Sequence, residues 1–476
     1  MLFRAPSFPA DNITMCNPNA PLPCITLSGA PFIRPLVELL KKQGFRAPSA
    51  VQACAWPAAM AGFDVLAVAS TGSGKTLGYL LPALARCNQG ISRSAGKGNP
   101  RCLVMAPTRE LVLQIKGEAT KYGSALDCRT VAVYGGVPKW EQALELQGGC
   151  ELIVATPGRL MDLQNLHMRD DGSGSGSTQG GFPPATSLAQ CGILILDEAD
   201  RMLDMGFEHD IREIVKTMPK RRHVSLFTAT WPAAVQRVAS ALLAKSHVKI
   251  SIGCSGERLQ ANKAVTQIIH VVSPEDKWGT FVRLLVPFRA GGELASKRVL
   301  VFANTRADVA AIGEYCQKKQ FAADTLSRDR EQAERDDVIR RFRSGRLRML
   351  IATDVAARGL DINGIERVIN FDYPSAGAED YIHRIGRTGR AGATGQADTL
   401  FTPATDSKAT VELVRILRDA GQQVPAELAM MAKKKAKAKA KAEAVEANKA
   451  AALGGGKHKG SGGGKGKGKS LGGKQW

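Results

Sequence analysis

From residue 65 to residue 402 the chain keeps returning to one arrangement: a run of four to six residues with strand character, a motif directly after it, then a stretch with helical spacing. The runs at 65–69, 102–106, 131–134, 151–155, 193–196, 224–228 and 248–252 form one set, and those at 267–272, 299–303, 349–352, 367–371 and 398–402 form a second. Near-continuous apolar runs read as strands buried on both faces, and helical stretches between them imply crossover connections, hence parallel sheets. In an open parallel sheet the ligand crevice lies outside the carboxyl ends of the strands, so motifs placed directly after the runs converge there. Two such sets in 476 residues imply two cores. The expected fold class is α/β: two parallel-sheet lobes in tandem, followed by a lysine- and glycine-rich tail without a packed core. The expected boundaries are an N-terminal extension at 1–26, a first lobe at 27–252, a linker at 253–264, a second lobe at 265–430 and a basic tail at 431–476.

The most constrained motif follows the first run. Asp64 to Ala69 is the strand, Ser70-Thr71-Gly72-Ser73-Gly74 is a permissive turn, and Leu77 to Leu81 continues as a helix face. That order points backbone N–H groups and a helix N-terminus at phosphate oxygens. Lys75 is placed to reach the β- and γ-phosphates of a nucleoside triphosphate, and the Thr76 hydroxyl to bind Mg²⁺. The strict pattern has a glycine five positions before Gly74, where this chain has Ala69, so the loop alone also fits a plain glycine-rich turn beside a lysine. Ile193 to Leu196 then forms a buried strand with Asp197 and Glu198 at its carboxyl end. Asp197 is the candidate to hold magnesium through water, and Glu198 to orient or deprotonate the attacking water. Acids capping a strand are commonly only a solvated turn, but their pairing with Lys75 favours the catalytic reading. Asp200 also fits a plain helix-dipole partner. Far downstream, the octet His383 to Arg390 brings arginines that would meet the departing phosphate.

In this order the motifs resemble those of DEAD-box ATP-dependent RNA helicases, whose superfamily is built from two RecA-like lobes, and the resemblance covers about residues 27–405. Ala69 to Thr76 matches that family's own form of the phosphate loop, which accounts for the missing glycine. Gly44 to Gln52 resembles the Q motif, which implies that Phe45 stacks on adenine and Gln52 reads its edge. Pro107 to Leu111, Gly135-Gly136 and Thr156 to Arg159 are similar to first-lobe RNA-contacting motifs, and Thr228-Ala229-Thr230 stands where the family usually has Ser-Ala-Thr. In the second half, Val299 to Thr305, Gln332 with Arg335, and Thr353 to Asp361 resemble further motifs. The resemblance implies that Asp361 approaches the ribose and that Arg387 and Arg390 stabilise γ-phosphate charge. It also implies RNA contacts from Arg109, Gly136, Thr156, Arg159, Gln332, Arg335 and Arg358. Asp200, Thr228, Thr230, His383 and Arg384 would form the inter-lobe network. Two positions depart from the family: Ser327-Arg328-Asp329 replaces the usual His-Gly-Asp, and Leu27 replaces an aromatic before the Q motif.

The resemblance implies an RNA-stimulated ATPase using ATP and Mg²⁺, acting as a monomer on single-stranded RNA and short duplexes without sequence preference. Within the family, Asp200 to Phe207 and Thr228 to Pro232 look most like members acting in rRNA processing and ribosome biogenesis. That places the chain in the nucleus or nucleolus, with the cytoplasm as the alternative. A DNA helicase of the same superfamily and a non-catalytic RNA-clamping scaffold are the rivals; the second predicts decay at Lys75, Glu198, Arg387 or Arg390, and none has decayed. Of the net charge of +21, +11 lies in residues 431–476, which carry thirteen lysines and two glutamates, so the tail is expected to tether RNA through its phosphates. Ten cysteines spread singly, with no C-x-x-C pair, argue against a zinc site or disulfide framework. No run of 18 apolar residues exists and no membrane partner is expected. Residues 170–190, rich in glycine and serine, read as a flexible surface insertion.

Overall fold

A computed structural model describes residues 13–70, 72–88, 100–165, 167–168, 176–177, 185–252, 261–327, 330–357, 362, 364–389 and 393–438. The first lobe is built on strands β1 (Ile13–Cys16), β2 (Val65–Ala69), β3 (Cys102–Met105), β4 (Thr130–Val133), β5 (Leu152–Ala155), β8 (Ile193–Asp197), β9 (His223–Thr228) and β10 (Val248–Ile252). They lie in the order β1-β10-β2-β9-β8-β3-β5-β4, all parallel except the β1 edge, which runs antiparallel to β10. Two-residue strands β6 (His167–Met168) and β7 (Gly176–Ser177) pair with each other. The second lobe orders β11 (Val265–Val271), β12 (Arg298–Phe302), β13 (Ala323–Leu326), β14 (Met349–Ala352), β15 (Ile365–Asn370) and β16 (Gly395–Phe401) as β11-β16-β15-β12-β14-β13, all parallel.

Central strands such as β2, β3, β5 and β14 are buried on both faces, which is why they are apolar throughout. In β2, Val65, Ala67 and Ala69 enter one core while Leu66 and Val68 enter the other. In β12, Leu300 and Phe302 divide from Val299 and Val301 in the same way. The strand order positions the chemistry. β9 lies between β2 and β8 with Val68 beside Thr228 and Asp197 beside Phe227, so the phosphate loop, the acidic pair and Thr228 emerge side by side at one edge of the sheet.

Three expected boundaries shift. Residues 13–16 belong to the first lobe, because β1 pairs with β10 and buries Ile13 and Met15, so the extension does not run to 26. The Gly/Ser-rich insertion ends by 184, since Ala185 and Leu188 are buried in the first-lobe core. The second lobe does not stop at 430: a last helix, 426–438, buries Leu428 and Ala432 in its core, and Lys435 Nζ donates to the Ser407 carbonyl at 2.5 Å. The N-terminal segment is fastened by a proline. Pro57 sits inside the helix Ala50–Met60 and has no N–H for the Ala53 carbonyl, which instead accepts from Cys24 N–H at 2.9 Å.

The last helix gives a direct test of where the fold ends. Leu428→Ala should destabilise the second lobe by about 2–4 kcal/mol, read as a lowered thermal unfolding midpoint. Truncation after Ala438 should leave that midpoint unchanged.

Candidate active site

The phosphate loop is held by backbone conformation and by its neighbour helix. Gly72 and Gly74 have φ of 77° and 89°, and a Cβ on Gly74 would lie 2.7 Å from Gln52 Nε2. The side chain of Gln52 is engaged at both ends. Its Oε1 accepts from Ser49 N–H at 2.9 Å, closing a capping box, and its Nε2 donates to the Gly74 carbonyl at 3.1 Å. Its position therefore couples the expected adenine-side residue to the loop itself. Phe45 packs half-buried against the first-lobe core. Lys75, at the start of the helix Lys75–Asn88, is buried and donates to the Ala69 carbonyl at 2.7 Å. Among the expected loop residues, Thr71 lies outside the described residues.

Across the strand ends, Glu198 adopts a left-handed backbone, φ 51° and ψ 51°, at the turn into the helix Ala199–Asp204. This costly conformation for a residue with a Cβ turns the chain sharply just where two adjacent acids leave the strand. Asp197 is buried; its Oδ1 accepts from Glu198 N–H at 3.0 Å and its Oδ2 from the Tyr79 hydroxyl at 2.7 Å. Burial, then the Glu198 charge, push its carboxyl up to about 6, against the opposing pull of Lys75 and Tyr79. The buried Asp197 carboxylate and the Thr76 hydroxyl, at the start of the helix Lys75–Asn88, are hard-oxygen donors of the kind magnesium takes. Thr76 and Asp197 therefore fit the magnesium that accompanies nucleotide phosphates.

The lobes meet at Asp200. Its Oδ2 accepts from Thr230 N–H at 2.9 Å and from the Thr230 hydroxyl at 2.7 Å, and lies 3.4 Å from His383 Nε2 of the second lobe. Burial would raise the Asp200 carboxyl, but the bonds and charge offered by His383 and Thr230 outweigh it and hold it well below the usual carboxylate range. Burial, then the Arg201 charge, hold His383 below its ordinary value against the opposing bond and charge of Asp200. The Thr228 hydroxyl donates to the Thr230 carbonyl at 2.9 Å, shaping that turn. Beside this junction Arg201 and Asp380, both buried, form an inter-lobe ion pair. Neither was expected; the signals were that Arg201 directly follows Asp200 and that Asp380 precedes His383 by about one helical turn.

Arg384 departs from expectation. Its guanidinium bonds Asp354 through Nε at 2.6 Å and Nη2 at 2.5 Å, the Asp372 carbonyl at 2.7 Å and Asn304 Oδ1 at 2.6 Å. All of these partners belong to the second lobe, so Arg384 ties strand ends together there and does not join the inter-lobe network. Arg387 is buried, with Nε donating to the His383 carbonyl at 3.3 Å. Arg358, Asp361 and Arg390 lie outside the described residues, as do Arg328 and Asp329 of the departing tripeptide.

A second set of inter-lobe contacts gathers most of the expected RNA-facing residues. Arg109 Nη2 donates to Asp336 Oδ2 at 2.8 Å, and Arg335 Nη2 donates to Glu110 Oε1 at 3.1 Å, crossed pairs between the starts of the helices Arg109–Gly123 and Gln332–Arg343. The Arg109 guanidinium also lies 4.8 Å from the Tyr134 ring centroid. Gln332 donates to Asp336 Oδ1 at 3.0 Å and faces Gly136, whose φ is 87°. Arg159 is turned inward, donating to the Val137 carbonyl at 2.9 Å, and Thr156 leads into the helix Pro157–Gln164 beside it. Glu110 and Asp336 went unnoticed in the sequence, where single acids beside arginines carry no distinguishing signal.

The family pattern described as DEAD/DEAH box helicase matches residues 49–238, and that described as helicase conserved C-terminal domain matches 277–392. DEAD-box ATP-dependent RNA helicase 20 of Arabidopsis thaliana is 42% identical over 421 residues, covering 88% of this chain and 78% of that protein. ATP-dependent RNA helicase dbp2 of Neurospora crassa is 42% identical over 427 residues, covering 90% and 72%. Against several other curated relatives the chain spans about half to two-thirds of their length, 50% of one and 65% of another. Among solved structures, S. cerevisiae Dbp5 bound to RNA and ADP BeF3 superimposes with a TM-score of 0.66 at 23% identity, covering 84% of this chain and 94% of that one, which shows the shared two-lobe fold.

The junction at Asp200 carries a pH dependence. Burial, then the charges of Asp200 and Asp204 across the interface, push the Glu379 carboxyl of the second lobe up to about 7, with Arg201 pulling the other way and Asp380 adding to the rise. A carboxyl raised in the closed arrangement binds a proton on closure, so its favourable contribution is present below its ordinary value and is lost as pH rises through about 7. Energy transfer between dyes on the two lobes should therefore report weaker closure between about pH 5 and about pH 8, and Glu379→Gln should flatten that decline.

Proposed function

The chain belongs to the DEAD-box RNA helicases, and from that premise we propose that it is an RNA-stimulated ATPase that separates short duplexes or displaces proteins from RNA. The observation that supports this best is the Asp200 junction. One carboxylate, three residues beyond Asp197 and two beyond Glu198, is bonded to Thr230 in the first lobe and approached by His383 from the second. Lobe closure and the positions of the hydrolytic acids are thus one mechanical system. Lys75 exchanges the Ala69 carbonyl for the nucleotide's β- and γ-phosphates, and Gln52 carries the base-side contact to Gly74. Glu198 orients the attacking water and takes up its proton. Arg387, with Arg390, offsets γ-phosphate charge from the second lobe. Thr76 and Asp197 would hold Mg²⁺, which when bound would supply Lewis-acid charge neutralisation at the phosphates.

On the other side of the interface, Arg109, Gln332 and Arg335 come together from both lobes when the lobes meet. We assign them, with Gly136, Thr156, Arg159 and Arg358, to phosphate and ribose contacts, which would make binding indifferent to base sequence. A strand bent along that groove excludes a paired neighbour, and phosphate release reopens the lobes. The proposal extends to a monomer acting in rRNA processing and ribosome biogenesis in the nucleus or nucleolus, with the cytoplasm as the alternative. The lysine-rich tail, which resembles nuclear localisation runs, and the Thr228 to Pro232 sequence support that reading.

Three substitutions test the enzyme. RNA-stimulated phosphate release should vanish in Lys75→Ala and in Glu198→Gln, and should fall by about 10³ in Arg387→Ala. Near-normal turnover in Arg387→Ala would sink the two-lobe mechanism. The tail is tested by cutting after Ala438, beyond the packed helix. Each lost phosphate contact on a single strand should lower the slope of log affinity against log salt by roughly 0.7, with the ATPase rate at saturating RNA unchanged. Coincident slopes would reduce the tail to a solubilising or localising role.

A further inference from the structure

Tyr79 is used by none of the steps above, yet its hydroxyl lies where the cation chemistry would be. The phenol is buried and donates to Asp197 Oδ2 at 2.7 Å. It stands about one turn beyond Thr76 on the helix Lys75–Asn88. The ring has little freedom. It meets Phe227 edge-on, with centroids 5.1 Å apart and planes 66° apart, and Phe227 is the register partner of Asp197 between β9 and β8. Strand pairing therefore fixes Phe227, Phe227 fixes the phenol, and the phenol holds one oxygen of Asp197 while the Glu198 N–H holds the other.

We propose that Tyr79 is a positioning residue for the divalent cation of the bound nucleotide, its hydroxyl holding the Asp197 carboxylate in the orientation that receives the metal. A carboxylate buried in a protein of this density has few donors available, and each bond to it is charge-assisted and directional. Without the hydroxyl, Oδ2 has no such anchor, and the carboxylate must be ordered by the incoming cation at the expense of metal affinity. Phe in place of Tyr keeps the ring, its contact with Phe227 and the core volume, and removes only the hydroxyl.

The inference rests on the nucleotide-site reading, and one experiment separates the two. Binding of a fluorescent ADP analogue is measured by anisotropy while Mg²⁺ is titrated, in the unmodified chain and in Tyr79→Phe, each also in EDTA. The expected result is a Mg²⁺ midpoint roughly tenfold higher in Tyr79→Phe, the size of one lost hydrogen bond to a charged group, with equal affinity in EDTA. Equal Mg²⁺ midpoints overturn the role given to Tyr79. Affinity lost in EDTA as well assigns Tyr79 to the fold of the pocket and overturns it too. If Mg²⁺ tightens nothing in the unmodified chain, the nucleotide site itself has been misread.

Discussion

A buried carboxylate with partners on both lobes is the constraint on which the rest of this structure turns. Asp200 is desolvated, and a desolvated charge is tolerable only while its bonds are made. Thr230 supplies two of them from within the first lobe, and His383 comes from the second only when the lobes are together. The buried Arg201 and Asp380 pair behaves the same way, since separating the lobes leaves each charge seeking water. An interface held by such groups has discrete arrangements, made or unmade, and that suits a cycle of closing and reopening better than a sliding apolar contact would.

The carboxylate is in place because of the sheet. With β9 between β2 and β8, the Lys75 loop, Asp197 and Thr228 leave adjacent strand ends, and Thr230 needs only two further residues to reach Asp200. The left-handed turn at Glu198 then directs the next acid, Asp200, toward the second lobe. Backbone strain of this kind persists where the surroundings over-determine it, and here β8 on one side and the Asp200 bonds on the other do so.

The second lobe prepares its side of the interface independently. Arg384 draws Asp354, Asp372 and Asn304 together, so the ends of β12, β14 and β15 are bound into one platform beneath the helix Ala378–Ile385 that carries His383. The crossed pairs of Arg109 with Asp336 and Arg335 with Glu110 then join the lobes at a second place, so closure engages both junctions together. Partly exposed pairs like these are individually weak, and their value lies in register.

Much of this was readable in one dimension. The phosphate loop, the acids after β8 and the His383 octet are contiguous, and their chemistry depends on local spacing: strand, turn, helix N-terminus. Strands buried on both faces announce themselves by continuous apolar runs, which is why β2, β10 and β14 were placed to the residue. The strands β1 and β13 are not legible in the sequence, because Ile13–Cys16 and Ala323–Leu326 mix polar with apolar residues and show no continuous apolar run. Residues 431–438 of the last helix read as tail in the sequence because lysines dominate them, although burial of Leu428 and Ala432 docks the helix. What only the tertiary structure decided was partnership. Whether Arg384 bonds within its lobe or across, whether Gln52 braces the Gly74 loop, and which hydroxyl holds Asp197 depend on strand ends distant in the chain, and sheet order, which no local spacing encodes, brings those ends together.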